Sequence, residues 1–435
     1  MDLPGWLRGT DRRVIVLALA RMVGAVGNSF LIIVLPLYIA SGFVDVGGLL
    51  GRTVGVGPAR IAVTEPLLIG VVLSLFGFLN SFSQPFTGRL SDRAGARKPF
   101  ILGGIGLLGT ASGLYAFATE YWMLVVLRAV QGLGAALTIP TAVALINEYA
   151  EAASDRGGNF GVYNTFRLIG FGLGPVAAGA VVEAGPYPLG IVTLSGFEAA
   201  FAVACGGSYL SLLLVFTMVS DTPGPAADAD TDLSIQVRGV DRLLDPVFTL
   251  GLATIAMGIC ISLFATLQAQ INVRLDQAPV WFGIQFGAVT IANVLLQVPV
   301  GNASDRFGRR PFLVVGFALL VPSTVLQGIV TTPLVMSLVR LLQGVSVACV
   351  FAPSLALAGD IAKRGASGST LSILTMGFGF GVALGPLASG WLVSFGFVVP
   401  FAAGGAFAVL AFIAVFTQVE ETLSAPDEPD PSPVD

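Results

Sequence analysis

Histidine is absent from the 435 residues, lysine occurs twice and cysteine three times. Each shortage removes a chemistry. Cys205, Cys260 and Cys349 stand singly inside apolar stretches with no imidazole to join them, so neither a metal site nor a disulfide framework is expected. No Gly-x-x-x-x-Gly-Lys loop occurs, which removes nucleoside triphosphate as the direct fuel. No nucleophile and base pair up within the apolar stretches, so an enzyme is not expected; nor is a cofactor or a nucleic-acid partner. Charge of either sign is scarce: Asp, Glu, Lys and Arg make up 11% of the chain, where a soluble domain carries about 25%.

Apolar sequence fills the space. Hydrophobic residues make up 55% of the chain, in stretches about 20 residues long, enough to cross a hydrocarbon core of ~30 Å as a helix. Twelve spans are predicted, near 14–40, 66–87, 100–118, 121–146, 160–184 and 197–219, then near 247–273, 279–300, 312–330, 333–360, 368–394 and 398–418. The fold class is therefore an all-α membrane protein of two six-helix halves, 1–219 and 247–418. A Pro-, Ala- and Asp-rich linker, 220–246, joins them, and an acidic tail, 419–435, is expected to be disordered. The polar start before the first span lacks a small-residue cleavage site, so no removable signal peptide is expected. With both termini in the cytoplasm, fifteen of the 22 cationic residues fall in cytoplasmic segments, three outside and four within spans. That bias sets the expected orientation in the cell membrane.

The halves are copies. Asn80, Gln84, Gly88, Asp92, Arg93 and Gly95 recur 213 positions later as Asn293, Gln297, Gly301, Asp305, Arg306 and Gly308. Ala96 is an extra residue, after which the offset is 212: Arg97, Lys98, Arg128, Gln131 and Glu148 answer to Arg309, Arg310, Arg340, Gln343 and Asp360. Gly174-Pro175 and Gly385-Pro386 stand 211 apart. Copies in one orientation put a solute route on the axis between them.

These motifs resemble the major facilitator superfamily across essentially the whole chain. G-R-L-S-D-R-A-G-A-R-K and G-N-A-S-D-R-F-G-R-R look like its loop signature, R-A-V-Q-G-L-G-A-A like its fourth-span signature, and G-F-G-L-G-P-V-A-A-G like the fifth-span pattern of proton-coupled exporters. Ala178 departs from that last pattern, standing where a first glycine of a pair is usual. The resemblance implies a secondary transporter working by alternating access, a proton- or sodium-driven drug-type or metabolite exporter. Uptake of a metabolite, including an organic anion, by symport or uniport is the alternative, and a non-transport receptor or enzyme a remote one. A small-molecule solute, a coupling ion (proton or sodium) and the bilayer are the expected partners of a monomer.

Residue types then suggest roles. Gly88, Asp92, Arg93, Gly95, Arg97 and Lys98, with Gly301, Asp305, Arg306, Gly308, Arg309, Arg310 and Asp360, form a candidate conformational latch. In it a carboxylate can sit at a helix N-terminus while an arginine pairs with acids such as Glu148. The resemblance implies that this network stabilises the outward-open state; the simpler reading is that its charge only anchors topology. Gly170, Gly174, Pro175 and Gly179, with Gly381, Gly385, Pro386 and Gly390, read either as ordinary tight packing or as a bending seam between halves. Arg128, Gln131, Glu148, Glu198, Arg340 and Gln343 are relay candidates for a proton or the solute, although the duplication of Arg128 also suits a structural part. Features shared by both halves most economically serve shared mechanics. The unshared polar groups Arg21, Asn28, Asn164, Arg167, Gln268 and Gln285 are therefore the candidates for the solute cavity, local hydrogen bonding or snorkelling being the alternative.

Overall fold

The computed structural model describes residues 11–55, 61–150, 155–190, 192–221, 237–238, 243–361 and 367–422. Most of the expected linker and tail lies outside these residues. Twelve helices are long and apolar enough to cross a membrane. Spans 1 to 6 are Arg12–Ala40, Glu65–Ala94, Lys98–Leu114, Tyr121–Glu148, Asp155–Ala184 and Gly196–Met218. Spans 7 to 12 are Pro246–Thr266, Pro279–Phe307, Arg309–Leu326, Pro333–Ile361, Ser367–Leu392 and Val399–Gln418. Helix is the form that satisfies each backbone N–H and C=O within its own segment where lipid offers no partner.

Their ends follow local chemistry. Asp11, Thr64 and Asp245 accept backbone N–H groups at the starts of spans 1, 2 and 7, and Ser195 with Glu198 makes a capping box at span 6. Spans 2 and 8 run seven residues further than the hydropathy suggests, so Gly88, Asp92, Arg93, Gly301, Asp305 and Arg306 are helical rather than loop residues. Gly95 (φ 62°) and Gly308 (φ 97°) make the reversals, in backbone conformations that a side chain would strain. Span 7 is shorter than expected: it stops at Thr266 and a separate helix, Gln268–Leu275, follows. Two short hairpins, Thr53–Val54 with Ile61–Ala62 and Tyr187–Leu189 with Val192–Leu194, are the strands described, and both lie at one end of the bundle. We call that end the hairpin face and the end carrying both termini the terminal face.

The two halves pack alike. Span 1 lies on spans 5 and 6, span 3 on 4 and 6, and span 2 on 4; span 7 lies on 11 and 12, span 9 on 10 and 12, and span 8 on 10. Spans 5 and 8, and spans 2 and 11, join the halves. At the hairpin face one apolar cluster draws on both halves, with Ile33, Leu73, Tyr115 and Phe201 beside Phe264, Phe282 and Phe401. Toward the terminal face there are two clusters instead, one in the first half around Leu17, Ile101 and Ile146, one in the second around Met257, Phe317 and Val415. The halves are therefore fused at one end and parted at the other. Large apolar side chains such as Trp122, Leu213, Ile413 and Phe416 remain exposed, as a surface facing lipid requires.

Candidate functional site

The closure at the hairpin face is built from small residues. A methyl group on Gly179 would lie 2.8 Å from the Val280 Cα, and one on Gly390 would lie 2.3 Å from the Pro66 carbonyl oxygen. Only glycine allows those backbones to meet. The Pro175 carbonyl reaches Gly283 and the Pro386 carbonyl reaches Gly70 in the same two joints. Gly170 and Gly174, however, face span 1 at Met22 and Ser29, and Gly381 and Gly385 face span 7 at Ile255 and Ser262. The expected seam is thus divided. Its first two glycines tighten each half, and its proline and last glycine join the halves. Phe171 meets Phe286 across the span 5 and span 8 joint with ring centroids 6.1 Å apart.

The latch residues close inside each half. Arg97 donates to Asp92 at 2.5 Å, to Ser91 at 2.6 Å and to Glu148 at 2.9 Å. Burial alone would lower the Arg97 guanidinium, but the hydrogen bonds to Glu148 and Asp92 outweigh it and hold it above the ordinary arginine range. Arg309 likewise pairs with Asp305 and Asp360, while Arg93 and Arg306 are exposed. The pairing belongs to the arginine after the turn. Asp92 and Asp305 also do not cap a neighbouring helix: Asp221 accepts the backbone N–H groups of Arg97 (2.8 Å) and Lys98 (2.7 Å), and Glu421 accepts that of Arg310 (2.9 Å). Lys98 and Arg310 each donate to a carbonyl, of Phe216 and Phe416. The expected reading missed Asp221 and Glu421 because they follow the last apolar residues of spans 6 and 12. Their signal was present: V-F-T-M-V-S-D-T at 215–222 recurs as V-F-T-Q-V-E-E-T at 415–422.

The paired arginines in spans 4 and 10 are interior parts. Arg128 is 2% exposed and Arg340 0%. Arg128 donates to Gln131 (3.0 Å), which also accepts from Tyr115 and donates to Ser112 (2.9 Å). Arg340 donates to Gln343 (2.5 Å) and to the Gln285 carbonyl (3.2 Å), and Gln343 donates to Thr324 (3.3 Å). Phe76 and Phe264 lie under the two guanidiniums at 4.6 and 4.3 Å. Glu148 is held by Arg97, and Glu198 by the Ser195 backbone N–H at 2.7 Å. Each acid stands in the terminal turn of its span.

The unshared polar residues fall into two groups. Gln268 and Gln285 are fully buried. Gln285 donates to Gln277 at 2.7 Å, and Gln268 sits where span 7 breaks, so neither opens to the space between the halves. By contrast Arg21, Gly24 and Asn28 share one stripe of span 1, partly exposed, with open space beside Gly24. Arg167 donates to Asn164 through Nε (3.0 Å) and Nη2 (2.9 Å), and Phe171 lies one turn further along span 5. Gly170 against Met22 sets Arg21 and Arg167 within about one turn of the same depth. Arg21 and Tyr163 also line a cavity of about 30 Å³ inside the first half, with Thr138, Ser208 and Ser211. The structure brings Arg21 to the depth of Asn164 and Arg167, leaves Asn28 about two turns further along span 1, and separates Gln268 and Gln285 from them.

Comparison with known proteins gives a consistent relationship. A family model described as Major Facilitator Superfamily matches residues 17–270 and again 246–434. The human vesicular acetylcholine transporter is 25% identical over 344 residues, 77% of this chain and 62% of that one. The multidrug resistance protein MdtG of Salmonella paratyphi C is 23% identical over 279 residues, 63% of this chain and 66% of that one. The chain thus spans a little under two thirds of the length of these relatives. Among solved structures, a bacterial homolog of the human lysosomal transporter Spinster, in an inward-facing and occupied conformation, superposes with a TM-score of 0.73 at 13% identity, covering 94% of this chain and 97% of that one.

Proposed function

We propose, from the premise that this chain belongs to the major facilitator superfamily, that it exports a small solute from the cytoplasm by alternating access. Membership makes it a multi-pass membrane transporter and not an enzyme. The observation that supports this reading is the contrast between the two ends: one apolar core shared by both halves at the hairpin face, and a separate core in each half toward the terminal face, where Arg21, Asn164 and Arg167 lie. With the terminal face in the cytoplasm, where the cationic residues concentrate, a solute would enter from inside. The likeness to a multidrug resistance protein agrees in direction. Rocking of the halves about the glycine joints would then expose the site on the other side.

A proton or sodium gradient is the proposed drive. No Asp, Glu or His stands in the interior of a span, the acids on span helices lying within about one turn of an end. Inside-out vesicles with imposed proton or sodium gradients test the reading: uphill accumulation in them is expected. Uptake restricted to right-side-out vesicles would replace export with the uptake alternative.

A further inference from the structure

Four arginines stand seven or more residues from either end of a span, and among the described residues no carboxylate opposes any of them there. Two, Arg128 and Arg340, occur in both halves and lie among amides, carbonyls and rings, with one nitrogen of each, Arg128 Nε and Arg340 Nη2, left over among the described residues. The other two, Arg21 and Arg167, occur in one half only. Ser29 reaches the Gly170 carbonyl as Ser262 reaches that of Gly381, which sets spans 1 and 7 in register and places Thr254 where Arg21 stands. Thr254 is closed upon the Leu374 carbonyl at 3.2 Å, and Leu374 answers to Tyr163 as Phe378 answers to Arg167. The second half fills this place with packed apolar groups; the first leaves it polar and cationic.

That polar place lacks a partner. The Arg21 Nε and the Tyr163 hydroxyl are buried and have no hydrogen-bond partner among the described residues, and Tyr163 is 3% exposed. Arg167 spends two N–H groups on Asn164 Oδ1, leaving the rest of its fork unclaimed. A guanidinium can only donate, so what is missing is an acceptor, and two neighbouring cations without a counter-charge favour an anionic one. A cation at this depth costs about 2.5 to 3.5 kcal/mol on insertion scales, which a bound anion offsets.

We propose that Arg21, Tyr163, Asn164 and Arg167 form a subsite for the carboxylate or phosphate group of a small organic anion. This rests on the transport reading and names the solute class for it. Arg21 and Arg167 supply paired donors, Asn164 fixes the Arg167 fork, and the Tyr163 hydroxyl donates from the small cavity that it lines with Arg21.

The test uses the full chain in phosphatidylcholine nanodiscs, with succinate, benzoate and inorganic phosphate as anionic probes and choline and tetraphenylphosphonium as cationic ones. Binding of at least one anion and of neither cation is expected. Arg21→Gln and Arg167→Gln should each weaken it by about tenfold or more, the scale of a hydrogen bond to a charged group. Tyr163→Phe should weaken it several-fold, whereas Arg52→Gln, in the loop beyond span 1, should leave it unchanged. If Arg167→Gln fails to fold, Arg167→Lys keeps the charge without the fork and should still lose affinity. Binding of no anion at millimolar concentration, or anion binding indifferent to both arginine variants, would overturn the proposal. Competition by added phosphatidylglycerol would also overturn it, by assigning the site to a lipid headgroup. Flux of a cation indifferent to Arg21 and Arg167 would sink the anion site and leave transport standing; anion binding without flux in proteoliposomes would do the reverse.

Discussion

The two halves of this protein carry the same machinery and different furnishings. Arg97 with Asp92 and Glu148 is answered by Arg309 with Asp305 and Asp360, Arg128 with Gln131 by Arg340 with Gln343, and Asp221 by Glu421. At one place the copies part: Arg21, Tyr163 and Arg167 stand opposite Thr254, Leu374 and Phe378. In the proposed reading, duplication marks what a rocking bundle needs, namely tight seams and rigid ends, and divergence marks what a single asymmetric solute needs. The comparison also changes the latch. Its ion pairs close within each half, Arg97 with Asp92 and Glu148, and Arg309 with Asp305 and Asp360; we propose that they stiffen each half.

Matched substitutions test the symmetric part, and the largest effect is expected at the seams. A methyl on Gly174 would meet the Ser29 hydroxyl, and one on Gly385 that of Ser262. Gly174→Val and Gly385→Val should each cost about 3 kcal/mol or more by overpacking, read as lost monodisperse protein and a lower Tm. Tolerance of one with loss of the other would break the symmetry. Next, Arg97→Ala and Arg309→Ala remove a half-buried cation from two carboxylates each. A loss of about 1 to 2 kcal/mol is expected in both, with slower transport and unchanged solute affinity. Changed affinity with an unchanged rate would return these residues to the binding site.

Removing the caps Asp221 or Glu421 (Asp221→Ala, Glu421→Ala) should cost about 1 kcal/mol each by thermal unfolding, equal within error if the repeat is functional as well as spatial. The smallest effect concerns the start of span 1. Hydrogen bonds from the Arg13 guanidinium hold the Asp11 carboxyl below its ordinary range of 3.8, outweighing its partial burial. Because the folded value is depressed, the benefit is complete above pH ~4 and is lost as pH falls through the folded value; Asp11→Asn should remove that acid sensitivity, worth about 0.3 to 1 kcal/mol.

Much of this was legible in one dimension. Hydropathy alone gives twelve spans, because a bilayer admits few structures and demands about 20 apolar residues for each helix. The repeat offsets give the two halves and single out the latch, the seam and the Arg–Gln pairs. Sequence misplaced the helix ends, since Gly88 to Asp92 and Gly301 to Asp305 are too polar for a span yet continue its helix into water. It gave Asp92 and Asp305 a capping role that Asp221 and Glu421 hold, because the cap comes from chain more than 100 residues away.

The amino-acid sequence by itself determined the membrane fold, its internal duplication and the list of polar residues that the two copies do not share. Only the tertiary structure decided which of those residues meet. Gln268, Gln285, Arg21 and Arg167 look alike in a list, each a polar group in an apolar run. The break after Thr266 and the Gln277 amide bury the first two, while the close approach of Gly170 to Met22 brings the arginines to one depth beside Tyr163. A side chain's polarity is local, but whether it finds a partner, a cavity or neither depends on which helix face the packing turns toward it.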